Sequence, residues 1–518
     1  MKKTLLTICL VWMCFSLSAQ KIIDLSGKWS FSIDRQDNGE KEKWFSHTLN
    51  DFINLPGSMP EKLKGDEVTA KTQWTGSLYD SSYYYNPYME KYRKEGNIKF
   101  PFFLTPDKHY VGAAWYQKEV NIPADWKGER ILLFLERPHI ETTVWVNGQK
   151  TGMQNSLCVP HQYDITRYVR PGKCTITIRV DNRIKEINVG PDSHSITDQT
   201  QGNWNGIVGR ICLQTTPKTY FDDIQIYPEP EQKLARVKVV IKGTGTAKVK
   251  LSAESFNTDK KHIVPAIQQE IKLNKGVTET EMVLPMGNDM LLWDEFHPAL
   301  YKLKAEVTNG KKTEIKEIQF GIRRFEIKGK WFYVNGRKTQ LRGTVENCDF
   351  PLTGYAPMDV ESWERVFRIC RSYGLNHMRF HSFCPPEAAF MAADRVGFYL
   401  QPEGPSWPNH GPKLGLGQPI DKYLMDETIA LTKEYGNYAP IACWHAETNL
   451  ADAGRMGDQV RRILGKEGSQ TCIYRSIGRQ RMAMATSQPI SCKGWGTWPD
   501  LVQETTVHPR RLSFPKSS

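Results

Sequence analysis

The amino-acid sequence predicts a multidomain chain of β plus α/β class, in which two antiparallel β-sandwiches precede a parallel α/β unit of the kind that closes into a (β/α)8 TIM barrel. Three observations predict it. Apolar residues alternate with period two from Lys21 to about Pro228, with turn residues between the runs. The alternation continues from about Gln232 to Arg323, a length that suits a seven-stranded, immunoglobulin-like sandwich. Beyond Arg324 short apolar runs alternate with stretches of helical period, the signature of a parallel sheet.

Each element follows from local chemistry. Ile131-Leu-Leu-Phe-Leu135, Thr143-Val-Trp-Val146 and Thr175-Ile-Thr-Ile-Arg-Val180 are strands of the first sandwich. Asn147-Gly148 directly after one of them predicts a two-residue hairpin turn, because both positions must adopt positive φ. Val237-Lys-Val-Val-Ile241 is a strand of the second sandwich. In the third region Thr339 to Gly343 reads as a short strand. Asp359 can cap a helix whose Val360, Trp363, Phe367 and Cys370 share one face and which ends at Gly374. Asn376 to Phe380 is the next strand, and Pro385-Pro386 opens a helix that stops at Gly397. Phe398 to Pro402 is a third strand, followed by a loop rich in Gly and Pro and a helix from about Asp421 to Tyr435, closed by Gly436.

With 518 residues, 39% hydrophobic and 24% charged, the chain can build several cores and is neither disordered nor a polytopic membrane protein. Residues 1–20, with Lys2 and Lys3 before an apolar run to about Leu17 and small residues at Ser18 and Ala19, read as a secretory signal. An exported protein, periplasmic or extracellular and without stable membrane insertion, is therefore expected, in an oxidising compartment. Eleven cysteines show no Cys-x-x-Cys spacing, so no metal site is expected; disulfides are permitted, but spacing assigns none, and small buried thiols are the alternative. Of the net charge of +12, two units lie in the signal and five in residues 441–518, leaving an ordinary surface with no basic stripe. Nucleic acid is not an expected partner.

Five stretches resemble glycoside hydrolase family 2, the β-galactosidase and β-glucuronidase group, and stand in that family's order. They are Leu25-Ser-Gly-Lys-Trp-Ser-Phe31; Trp115-Tyr116 leading to Phe134 and Val144-Trp-Val-Asn-Gly148; Trp204-Asn-Gly-Ile207; Leu292-Trp293 with Pro298-Ala-Leu-Tyr301; and Phe320-Gly-Ile-Arg323 with Val334-Asn-Gly336 and Leu341-Arg-Gly343. The resemblance spans about residues 24 to 440. It implies a jelly-roll sugar-binding domain (21–228), an immunoglobulin-like sandwich (229–324) and the first part of a catalytic TIM barrel (325–440). It also implies retaining hydrolysis by two carboxyl groups about 5 to 5.5 Å apart, with an oligosaccharide or polysaccharide as substrate and no required cofactor.

The family places its acid/base in an Asn-Glu pair ending strand four and its nucleophile on strand seven. Residues 441–450 hold Glu447 and Asn449 in the wrong order, so Glu447 reads as an ordinary carboxylate. Only about 190 residues follow residue 325, where a barrel takes roughly 250, so the barrel is expected to be incomplete. The genetic code offers a reason. With the third base of Ala442 as A, reading Cys443 to Leu450 one nucleotide early forces Met-Leu-Ala and permits Cys-Gly-Asn-Glu-Pro. Reading Ile463 to Tyr474 one nucleotide late permits Tyr-Trp-x-Lys-Lys-Asp-Pro-Arg-Arg-Val-Tyr, similar to the family's next helix and turn. Residues 441–518 are therefore read as out-of-frame translation, an authentic divergent tail being the alternative. Arg461-Arg462, Trp495-Gly-Thr-Trp498 and Arg510-Arg511 follow neither period.

Five candidate substrate-binding residues remain at the strand ends, and no catalytic carboxylate is assigned. Asn347 follows the first strand, where Val345 and Asn347 depart from the family's Asn-x-His; it is a sugar ligand or a turn former. Arg379-Phe-His381 resembles Arg-x-x-His with the His one place early. Arg379 offers a forked donor for carboxylates and His381 a partner for sugar hydroxyls, the alternatives being a buried structural Arg and a satisfied core His. Glu403 can hold a hydroxyl or close a salt bridge within the barrel, and Trp407 can stack on a sugar ring. The function expected is an exo-glycosidase that is catalytically incomplete as it stands. The alternatives are a secreted glycan-binding protein and a non-functional fragment. Oligomeric state is not readable.

Overall fold

The computed structural model describes residues 20–75, 82–100, 106–190, 193–198, 202–329, 331–350, 353–407 and 414–441, with short strands at Cys443–His445, Cys472–Tyr474 and Met484–Ala485. The segment read as a signal and most of 442–518, including Glu447 and Asn449, lie outside the described residues.

In the first sandwich a six-stranded antiparallel sheet runs, in spatial order, Gln149–Asn155, Glu141–Val146, Gly172–Asp181, Ala113–Ile122, Gly27–Asp34 and Asp51–Leu55. Ile22–Asp24, Gly206–Thr216, Arg130–Pro138 and His161–Asp164 form the second sheet, with Gly57–Ser58 also on Gly206–Thr216. Trp29, Phe31, Tyr116, Val144 and Ile178 of one sheet and Leu133, Leu135 and Leu213 of the other share one core, as period-two strands buried on one face require. Glu141–Val146 is buried throughout because Trp115, Trp145 and Leu49 build a smaller cluster on the sheet's opposite face. The predicted turn forms: Asn147 and Gly148 take φ of 50° and 76° between paired Val146 and Gln149.

The second sandwich begins earlier than the predicted boundary at 228. Tyr220–Glu229 pairs with Leu234–Phe256, so it belongs to the second unit, and Pro228 lies at the end of a strand rather than in a linker. Two strands, Leu234–Phe256 and Ile263–Pro285, are each 23 residues long. Both bend where pairing slips between Gly243 and Gly245, opposite Gly276 and Leu273. Gly245 and Gly276 have φ of 85° and 108°, values only glycine adopts without strain. Each long strand therefore serves as two, and with Tyr220–Glu229, Leu300–Asn309 and Lys312–Phe320 this supplies the seven strand segments expected of an immunoglobulin-like sandwich.

Between the sandwich and the parallel unit lies a three-stranded antiparallel sheet, Phe325–Lys328, Trp331–Val334 and Arg337–Thr339. This corrects the strand predicted over Thr339 to Gly343. Asn335 and Gly336, at φ of 52° and 78°, turn the chain back so that Arg337–Thr339 ends a hairpin, and the parallel strand starts only at Gly343. Gly343–Glu346, His377–Phe380 and Tyr399–Gln401 then form a parallel sheet in the register Val345↔Arg379↔Gln401. Val360–Ser372 is capped by Asp359, whose carboxylate accepts Ser362 N–H, and buries Trp363 and Phe367. Glu387–Val396 ends at Gly397 with φ of 75°, and Pro419–Tyr435 opens with a Gln418/Asp421 capping box. A parallel bridge from Leu400 to Ile441 continues the sheet by one more position. No helix among the described residues is long and apolar enough to cross a membrane.

Candidate functional site

Parallel strands present their carboxyl ends on one edge, and all five predicted site residues meet there. Glu403 lies just past Tyr399–Gln401 and is fully buried. A carboxylate without water needs charged or hydrogen-bonding partners for both oxygens. Arg379 Nε donates to Oε1 at 2.5 Å and Ser382 N–H donates to Oε2 at 2.7 Å. The salt bridge considered as the alternative for Glu403 is thus present, between neighbouring strands. Ser382 adopts φ of 45°, which turns its amide toward the carboxylate.

Asn347 and His381 also pair. His381 Nδ1 lies 3.2 Å from Asn347 Oδ1, and His381 N–H donates to the Glu346 carbonyl at 2.9 Å, fixing the imidazole over the end of the first parallel strand. Trp407 packs on this imidazole with ring centroids 5.2 Å apart.

The remaining wall comes from the first sandwich. His194 N–H donates to Ser382 Oγ at 2.9 Å and its Nδ1 lies 2.7 Å from the same oxygen, while Ser195 Oγ donates to the Ser382 carbonyl at 2.9 Å. The His194 ring stands 4.0 Å from His381 and stacks on Trp407 at 5.0 Å and 26°. Sequence reading missed His194, Ser195 and Ser382. Residues 182–205 carry no period, and only their density of Ser, Thr, Asp, Asn and His between two sandwich strands could have drawn notice.

A second missed group is Glu346, the last residue of the first parallel strand. Its carboxylate accepts Asp349 N–H at 2.9 Å, but desolvation, with some repulsion from Asp349, pushes its pKa up to about 7. A carboxyl that holds its proton near neutrality at a strand end is the kind of group that acid/base chemistry employs. Two clefts, of about 740 and 620 Å3, lie elsewhere. One lies between Arg210 and Tyr355, the other between the second sandwich and Pro419–Tyr435, and neither is lined by the five predicted residues.

Two family profiles match end to end: residues 22–217 match the family 2 glycosyl hydrolase sugar binding domain, and residues 219–323 match the domain described as glycosyl hydrolases family 2. The chain belongs to glycosyl hydrolase family 2. The junction of the two matches coincides with the boundary the strand pairing gives. A β-galactosidase of Thermoanaerobacter pseudethanolicus is 25% identical over 334 residues, covering 61% of this chain and 42% of that protein. The β-glucuronidase of Homo sapiens is 23% identical over 466 residues, covering 81% of this chain and 62% of its own length. Among solved structures, the β-glucuronidase from Ruminococcus gnavus in complex with D-glucaro-δ-lactam superposes with a TM-score of 0.66 at 18% identity, covering 88% of this chain and 72% of that one. At that identity the likeness is one of fold. This family 2 chain spans 42%, 40% and 59% of the first three curated relatives it matches.

Proposed function

We propose that this family 2 chain carries the sugar-binding, immunoglobulin-like and first barrel portions of an exported exo-glycosidase that removes a terminal sugar from an oligosaccharide or polysaccharide. The observation that carries the reading is the fully buried Glu403 carboxylate, held by the partly exposed Arg379 beneath a rim of Asn347, His381 and Trp407 at the ends of parallel strands. An ionised carboxylate offers about four lone-pair sites, so Glu403 can take a sugar hydroxyl beside its two present donors. Arg379 fixes that carboxylate, Asn347 and His381 bond neighbouring hydroxyls, and the Trp407 indole covers a sugar face. In the family that the chain belongs to, the acid/base and the nucleophile come from later strands of such a barrel.

As it stands the chain is catalytically silent. Ala446-Glu447-Thr448-Asn449 occupies the place of the family's Asn-Glu, so no acid/base protonates the leaving oxygen. The test is an assay of this chain on aryl-glycosides of galactose, glucuronate, mannose and glucosamine. No turnover above blank is expected, and clear turnover would overturn the silence. Sequencing the gene from the codon for residue 420 onward separates the causes: one continuous frame restoring Asn-Glu makes the natural product an active glycosidase.

A second reading is a secreted glycan-binding protein, favoured by the first sandwich having a complete core of its own. Affinity electrophoresis distinguishes it, since retardation by a polysaccharide without hydrolysis supports binding. Absence of both supports a non-functional fragment.

A further inference from the structure

Spacing could not pair the cysteines, but the fold brings two of them together across a domain boundary. Cys158 lies in the turn before strand His161–Asp164 of the sugar-binding sandwich, and Cys384 lies between strand His377–Phe380 and helix Glu387–Val396. Both are 1% exposed, belong to the same core cluster and are free thiols, with Cys384 Sγ donating to the Pro385 carbonyl at 3.5 Å. The surrounding backbone is held from both sides. Arg137 Nη1 donates to the Leu157 carbonyl at 2.6 Å and to the Cys384 carbonyl at 3.4 Å, and Tyr435 OH donates to the Cys158 carbonyl at 3.1 Å. A cavity of about 40 Å3 touches both cysteines, leaving room for the sulfurs to adjust.

We propose that Cys158 and Cys384 form a disulfide that ties the sugar-binding domain covalently to the parallel α/β unit when the chain folds in an oxidising compartment. The bond forms by exchange with a donor disulfide, either an oxidised small thiol or a dithiol oxidoreductase. One cysteine thiolate attacks the donor and releases its first sulfur as a thiol. The second attacks the mixed disulfide and releases the other, so one S–S bond forms, one breaks, and two protons pass to the donor. Exchange takes place during folding, because the closed core excludes the donor and burial raises the Cys158 thiol well above its ordinary pKa. The tie closes a loop of more than two hundred residues, the case in which restricting the unfolded chain stabilises most.

The exported reading enters only in supplying the donor, and the pairing is tested without any glycosidase assay. The full chain is reduced, unfolded, and refolded in a glutathione couple. In parallel it is secreted to a bacterial periplasm and its free thiols are alkylated at harvest. Trypsin then releases residues 151–167 and 380–395, each holding one of the two cysteines. The expected product in the soluble protein is these peptides joined, two hydrogens lighter than their sum, and split by reductant. Its thermal midpoint should fall by about 5 °C or more on reduction. C158S and C384S should lose both the joined peptide and the reductant sensitivity. Recovery of both cysteines as alkylated thiols from soluble chain in both preparations, or either cysteine joined to a different partner, overturns the proposal.

Discussion

The two sandwiches and the parallel unit solve the burial problem differently. Each sandwich encloses a core drawn from its own strands, Trp29 to Leu213 in the first and Phe221 to Ile322 in the second. The parallel unit does not. Its core of Trp363, Phe380, Phe390, Phe398 and Leu424 is completed by Ile140, Leu157, Cys158, Val189 and Ile196, all from the sugar-binding domain. Among the described residues three parallel strands pair beneath the unit's helices, and residues of the neighbouring domain pack into the same core. Polar contacts repeat the arrangement, since Ser382 and Glu387 are bonded by Ser195 and Arg210. In this chain the parallel unit shares its core, and the polar cluster at its strand ends, with the first sandwich.

The largest expected effect tests that sharing. Ile196→Ala removes a fully buried side chain from the shared core and should destabilise by about 4 kcal/mol. The loss should fall on the parallel unit: amide exchange in Glu387–Val396 accelerates while Gly172–Asp181 keeps its protection. Leu251→Ala makes a deletion of similar size within the second sandwich and should leave Glu387–Val396 unchanged. Equal effects of both variants on that helix would show that the whole chain unfolds as one unit and that the contrast between closed and borrowed cores has no energetic meaning.

Next in size is the buried pair at the strand ends. Arg379→Met leaves the Glu403 carboxylate, among the described residues, with Ser382 N–H alone and should cost about 3 kcal/mol in urea unfolding. Adding Glu403→Gln should restore much of that, because a neutral amide needs no counter-charge. A single variant indistinguishable from the parent would mean that water reaches Glu403 and that the pair is not the anchor of the rim.

These contrasts also mark what the sequence made legible. Period-two strands, the Asn147-Gly148 turn, the Asp359 cap and the Gly397 stop are local, and each is present where chain chemistry demands it. Asn347, Arg379, His381, Glu403 and Trp407 are singled out because strand ends and family motifs point to them, and the fold brings all five to one edge of the parallel sheet. Misplaced elements were those set by pairing partners: Tyr220–Glu229 reads as a strand of either sandwich until Leu234–Phe256 lies beside it, and Arg337–Thr339 needs the hairpin to be told from a parallel strand. His194 and the approach of Cys158 to Cys384 carry no local signal at all, since they depend on residues nearly two hundred or more positions apart meeting across a boundary. Glu346 went unnoticed because its distinction is its surroundings.

That last residue, at the end of the first parallel strand, supplies the smallest and most specific test of the parallel unit. Burial raises the Glu346 pKa from 4.5 to about 7 in the folded chain, whereas the unfolded chain keeps the ordinary value. Between these values the folded state binds more protons than the unfolded one, so stability decreases as pH rises. The contribution of the protonated group is fully present below about pH 4.5 and is lost as pH passes 7. Glu346→Gln keeps the neutral shape and removes the titration, so it should match the parent near pH 4.5 and exceed it by about 2 kcal/mol at pH 8. Urea midpoints measured for both proteins across that range read the difference directly. Parallel curves would place Glu346 in water, and the first strand end would then resemble the exposed rims of the sandwiches rather than a sheltered mouth.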